Sequence, residues 1–141
     1  MPVSQLVYRS TLRAGRIDSP LALLRDILKV SERNNRTVGI TGFLVFDGQT
    51  FAQILEGEPA DVERTFARIA LDERHRDVTV VASQAVPQRD FASWTMGGCL
   101  RQGRDAAAFE RHGIAGPIDA SVSGPQIVAL AKELVAARAT G

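Results

Sequence analysis

With 141 residues, 45% of them apolar and 23% charged, the chain has the composition of one globular domain, long enough to bury a core and with no linker expected. Its net charge of +1 comes from interspersed signs, which gives no footing for a nucleic-acid or membrane surface. Cys99 is the single cysteine, and His75 and His112 stand apart with no H-E-x-x-H pattern, so a disulfide, a cysteine-built metal site and a metal hydrolase are all disfavoured. The opening MPVSQLVYRS lacks the apolar core of a signal peptide, and no apolar run nears the ~20 residues of a membrane span. A cytoplasmic, reducing location is expected.

Residues 3–12, VSQLVYRSTL, read as a strand that puts Leu6, Tyr8 and Ser10 on one face and Val3, Gln5, Val7 and Arg9 on the other. Tyr8 thus points inward, where a tyrosine commonly fills volume and ties its hydroxyl to a carbonyl. Asp18-Ser19-Pro20 marks a helix start, with Asp or Ser as cap and proline in the first turn. Leu24, Ile27 and Leu28 recur at helical spacing, and the helix is expected to end in the polar cluster of residues 31–36. Asn34 and Asn35 fall in that ending, where asparagine is an ordinary turn or cap residue.

Two strands follow, Ile40 to Phe46 and Gln49 to Glu56, joined by Asp47-Gly48, a dipeptide of the kind that accepts positive φ. Alternation in the second puts Phe51, Gln53 and Leu55 on one face and Ala52, Ile54 and Glu56 on the other. Gln53 therefore shares a face with two large apolar residues, and a bare amide there would cost roughly 1 to 3 kcal/mol. Backbone groups, water or a half-covered face could satisfy it; so could a buried polar ligand.

After Gly57 to Pro59 the pattern predicts a second amphipathic helix over 60–70, with Val62, Phe66 and Ile69 inward and Arg68 near its end, where a solvated cation suits the helix dipole. Residues 72–77, DERHRD, read as an exposed charged loop, and residues 78–86 as a strand. In the segment 91–100, Trp94 and Met96 are two apart and share a face if the chain is extended, as core-filling residues often do. Residues 104–111 suggest a short helix, and Gly124-Pro125 opens a longer one whose stripe of Ile127, Leu130, Leu134 and Val135 needs a cover, either the sheet's open face or a second subunit. The resulting fold class is α+β: a ferredoxin-like βαββαβ plan plus a fifth strand, two helices on one sheet face, and a C-terminal helical extension.

Four groups of residues occur together in this order: Tyr8-Arg9-Ser10, Asn34-Asn35 followed by Thr41-Gly42, Phe51-x-Gln53-x-Leu55-Glu56-Gly57, and Trp94-x-Met96. The combination resembles the BLUF family of blue-light sensors that use FAD. The resemblance covers residues 1–100, which it marks as a flavin-binding domain, and leaves 101–141 as an extension packing on the sheet or at an oligomer interface. It implies that Tyr8 reduces the excited flavin, that Gln53 stands between Tyr8 and the ring, and that Asn35 bonds the flavin's carbonyl edge. By the same resemblance Ser10, Ile27, Asn34 and Arg68 border the cofactor, Asp72 and His75 do so more loosely, and Trp94 and Met96 on the last strand pass the signal outward.

The chemistry so implied begins when blue light makes the flavin a strong oxidant, placed between the two helices with Ile27 on one flank. Tyr8 gives up an electron and a proton, and Gln53, able to donate and accept, relays the proton. After recombination the flavin is oxidised again, but the amide is rotated or tautomerised, the absorption band shifts to the red, and the strand bearing Trp94 and Met96 is biased. The expected function is therefore a photoreceptor without turnover. No output domain fits in the residues after 100, so a downstream partner protein or a homo-oligomer is expected to receive the signal, with FAD as cofactor and FMN possible. The alternative is a flavin-free ferredoxin-like regulatory or adaptor module. An oxidoreductase lacks a substrate pocket or hydride site in the pattern, and an RNA-binding sheet would need exposed aromatics and a basic face.

Overall fold

A computed structural model describes residues 3–13 and 19–140, with side chains described to residue 138. The elements run β1 (Val3–Leu12), α1 (Pro20–Val38), β2 (Thr41–Phe46), β3 (Thr50–Gly57), α2 (Pro59–Ala70), β4 (His75–Val86), β5 (Gly97–Leu100), α3 (Gly103–Arg111) and α4 (Gly124–Thr140). The five strands form one sheet in the order β4-β1-β3-β2-β5. Its first four strands pair antiparallel in the ferredoxin-like order, and β5 joins parallel to β2.

Alternation along β1, β2 and β3 divides their side chains between two cores. On one face Leu6, Tyr8, Leu44, Phe46, Phe51 and Leu55 meet Leu24 of α1 and Val62 of α2, with Ile27, Leu28, Phe66 and Ile69 packed around them. On the other, Val7, Phe43, Val45, Ala52 and Ile54 meet Phe109 of α3 and Ile127, Leu130 and Leu134 of α4. The stripe predicted on the last helix is therefore covered by the sheet's second face.

Several boundaries differ from expectation for local reasons. α1 begins as predicted, with Ser19 Oγ accepting from Ala22 N at 3.1 Å; Asp18 lies outside the described residues. The helix does not end within 31–36 but runs to Val38 and stops at Gly39, whose φ of 70° supplies the left-handed cap. Asn34 and Asn35 are thus helical residues. In the hairpin the register pairs Phe46 with Phe51, and Asp47 N donates to Thr50 O at 3.1 Å. The central turn residues are then Gly48-Gln49, one position later than predicted. Gly48 takes the positive φ of 97°, and the Asp47 carboxylate accepts from the Gln49 and Thr50 amides at 2.8 and 2.6 Å.

β4 starts at His75, so part of the expected charged loop is strand. β5 is confined to residues 97–100, so Trp94 and Met96 precede the last strand and lie on different sides. Met96 is buried in the core under α1 and α2. Trp94 packs toward the other core, edge-on to Phe43 at 6.0 Å. Their predicted common face fails because the segment is not extended. Among the described residues no helix is long and apolar enough to cross a membrane.

Candidate functional site

Tyr8 and Gln53 stand directly opposite each other in the β1–β3 register and are 3% and 2% exposed. Period-two alternation sends both side chains to the helix-bearing face, where the Tyr8 hydroxyl donates to Gln53 Oε1. The other end of that amide, Nε2, donates to Met96 Sδ at 3.2 Å. A thioether is a weak acceptor, so the amide is held firmly at one end and loosely at the other. Burial, with a contribution from the Asp72 charge, raises the Tyr8 phenol well above the ordinary tyrosine range. The phenol therefore stays protonated and donating.

Above this pair lies a cleft between α1, α2 and the sheet, with a cavity of about 200 Å³. Ile27, Asn34 and Asn35 enter it from α1, Arg68 from the end of α2, and Asp72 and His75 from the residues that follow. The spacing 27, 31, 34, 35 is one face of a helix, which is why a longer α1 was needed to deliver the two asparagines. Asn35 is 2% exposed, and its Nδ2 donates to the Thr95 carbonyl at 3.2 Å. Ile27 and Asn34 are half-buried, and Arg68 is exposed. Among the described residues the Arg68 guanidinium has no ion-pair partner.

His75, expected in an exposed loop, is 8% exposed. Its Nε2 lies 2.7 Å from the Ile69 carbonyl and its Nδ1 2.8 Å from Ser10 Oγ. A carbonyl only accepts, so Nε2 carries a proton; in the neutral ring Nδ1 accepts from the Ser10 hydroxyl. Ser10 does not line the cleft; it sits one layer back, fixing the imidazole that does. Trp94 does not line it either, and Met96 reaches it only through the Gln53 amide.

The cleft also takes Val30, Ser31, Leu44, Phe51, Ile69 and Arg74, none of which sequence reasoning had singled out for a site. Ser31 was reachable as the helical neighbour of Ile27 and Asn35. Arg74 was reachable from Asp72-x-Arg74: its Nη2 donates to Asp72 Oδ2 at 2.5 Å. That side-chain hydrogen bond holds the Asp72 carboxyl below the usual carboxylate range.

The donor set has a definite character. Apolar walls (Ile27, Leu44, Phe51, Ile69) enclose a buried phenol and two buried amides, and the cations Arg68 and Arg74 stand at the solvent side. Such a site fits a flat heteroaromatic ring with amide-like carbonyl and N–H groups on one edge and anionic groups outside. Among the described residues no group of His, Cys, Asp and Glu gathers as a metal ion would require.

The family described as BLUF, sensors of blue-light using FAD, matches residues 3–97. The chain is 30% identical over 89 residues to the blue light- and temperature-regulated antirepressor BluF of Escherichia coli K12, a match that covers 63% of this chain but 21% of that protein. Among solved structures, that of BlsA in its photo-activated state superposes with a TM-score of 0.79 at 27% identity, covering 94% of each chain. The dark-state structure of the BLUF protein BlrB does so with a TM-score of 0.75 at 28% identity, covering 97% of each.

Proposed function

The chain belongs to the BLUF family and is a flavin-binding blue-light sensor, and we propose that its light response is generated by the Tyr8–Gln53–Met96 hydrogen-bond chain. The observation that carries this reading is the buried Gln53 amide, held between a phenol that donates to it and a thioether that accepts from it. When bound, the flavin supplies the blue-light absorption and, once excited, a strong oxidant.

The chain's own part is to hold and move a proton. Tyr8 is the cleft's only phenol and the chain's only tyrosine; protonated and buried, its hydroxyl is poised to release a proton to Gln53 Oε1 as it loses an electron. An amide whose orientation or tautomer changes exchanges what it presents to Tyr8 and to Met96 Sδ. The Met96 contact is the weaker of the two and is the one that yields. Asn35, Asn34, Ile27, Asp72 and His75 hold the ring, Ser10 through His75, while Trp94 and Met96 carry the change outward. The exposed Arg68 guanidinium suits a phosphate group, which FAD and FMN both carry.

The extension from residue 101 closes the sheet's second face with α3 and α4. We infer a downstream protein or a change in self-association as the receiver. The family is one of sensors, and we read the chain as acting by binding.

The deciding experiment is the visible spectrum of the purified protein in darkness and under blue light. A flavin band that moves to the red and returns in darkness is expected. A colourless protein that cannot be loaded with flavin would overturn the reading, and bound flavin that bleaches without shifting would replace it with redox chemistry. Extraction and mass measurement of the cofactor separates FAD from FMN, and light-dependent elution in size-exclusion chromatography tests self-association.

A further inference from the structure

Glu56 is a carboxylate with 0% exposure that the cleft does not use. It lies three residues beyond Gln53 on β3 and on the opposite face of the sheet. Its Oε1 accepts from the Phe91 backbone N–H at 2.8 Å, and its Oε2 accepts from the Asp90 N–H at 2.9 Å and from Gln5 Nε2 at 2.8 Å. Residues 87–96 run outside any strand, so these two backbone donors have no ladder to join, and Phe91 is only 1% exposed. A buried N–H without a partner is costly, and the Glu56 carboxylate is the partner it finds.

The same short segment is held at its other end by the cleft. The Trp94 carbonyl accepts from Gly42 N at 2.9 Å, the Thr95 carbonyl from Asn35 Nδ2 at 3.2 Å, and Met96 Sδ from Gln53 Nε2 at 3.2 Å. β3 thus grips residues 90–96 from both of its faces, with Glu56 at one end and Gln53 at the other. From the Glu56 end the connection continues: Gln5 Nε2 also donates to Asp90 Oδ2 at 2.9 Å, and Asp90 Oδ1 lies 3.2 Å from Lys132 Nζ on α4.

We propose that Glu56 is the positioning residue of the light signal, anchoring residues 90–91 so that a change at Gln53 and Met96 is delivered along 90–96 to the Asp90–Lys132 contact on α4. The proposal rests on the assignment of Tyr8 and Gln53 to the light response. The physical requirement is that residues 90–91 be fixed to β3 with no slack: if they were free, displacement of Met96 would be taken up by the loop before it reached Asp90. Charge-assisted bonds to two backbone amides provide that fixity. A glutamine at position 56 would offer one acceptor oxygen and turn an NH2 group toward a backbone donor.

Trp94 is the chain's single tryptophan, so its fluorescence reports on this segment alone. The test uses the full flavin-loaded chain with the variants Glu56→Gln and Lys132→Gln, following the red shift, the light-minus-dark Trp94 fluorescence, the dark recovery rate and hydrogen exchange in α4. Glu56→Gln is expected to keep the red shift while its Trp94 response falls about fivefold and its dark recovery changes by a similar factor. Lys132→Gln is expected to keep the red shift and the Trp94 response but to lose the light-dependent exchange difference in α4.

A Glu56→Gln protein with the unaltered Trp94 response and recovery rate would overturn the proposal. If that variant does not fold, Lys132→Gln decides, and an unaltered exchange difference in α4 counts against the route. A natural chain that shows no red shift removes the photoreceptor reading and this proposal together; a normal red shift with indifferent variants removes this proposal alone.

Discussion

The two faces of the sheet use the same strands for different purposes. Under α3 and α4 the centre of the face is closed: Phe43, Phe109 and Leu130 are each 0% exposed, and a polar residue that β3 contributes there, Glu56, is bonded wholly to protein donors. Under α1 and α2 the face is left open as a cleft, and the polar residue that β3 contributes there, Gln53, is bonded to a phenol and a thioether. A buried polar group with strong protein partners on all sides fastens the structure. One with a weak partner on one side remains adjustable. The protein places one of each on a single strand, three residues apart.

The sharpest way to break this comparison is at the adjustable group. Tyr8→Phe keeps the volume of the cleft but removes the donor to Gln53, so it is expected to bind flavin and lose the reversible red shift entirely, as is Gln53→Leu. A normal light-minus-dark spectrum in Tyr8→Phe would remove the phenol from the mechanism. The second test compares packing. Leu130→Ala empties a site in the closed core and should lower unfolding stability by about 2 to 5 kcal/mol in denaturant titration. Ile27→Ala, at a half-buried position beside the cleft, should lower it by less than half as much. Equal losses would mean that the two faces are equally closed.

The third and smallest effect concerns pH. Burial raises the Tyr8 phenol in the folded state, above its unfolded value of about 10. The stabilisation this represents is complete below that value and is lost as the pH rises toward the folded one, because the unfolded chain then binds fewer protons. Since Tyr8 is the only tyrosine, the ultraviolet phenolate band is expected to appear together with alkaline unfolding. A phenolate band in the still-folded, flavin-loaded protein would show that the pair is open to solvent.

The Tyr8–Gln53 side of the cleft was legible in the chain because strand alternation is a strong local signal: a polar residue between Phe51 and Leu55 stands out at period two. The order of elements and the cover needed by Leu130 and its neighbours were legible for the same reason. Local polarity points to a helix ending at Asn34 and Asn35, whereas the helix runs on to the left-handed cap at Gly39. The charged neighbours of His75 point to an exposed loop, whereas its ring is held between the Ile69 carbonyl at the end of α2 and Ser10, far off in sequence on β1. Trp94 and Met96 share a face only in an extended strand. Hydrogen bonds to Gly42, Asn35 and Gln53 hold the segment in another shape.

What the sequence determined by itself was the alternation and periodicity of each element, and through four spaced groups of residues the family to which they belong. These are properties of a few neighbouring residues, repeated along the chain. What only the tertiary structure decided was which distant groups meet: Tyr8 with Gln53, Asn35 with Thr95, and Glu56 with the backbone of residues 90 and 91. Those partnerships depend on strand register and on how long a helix runs, and a change of one residue in either would send the same side chain to a different partner.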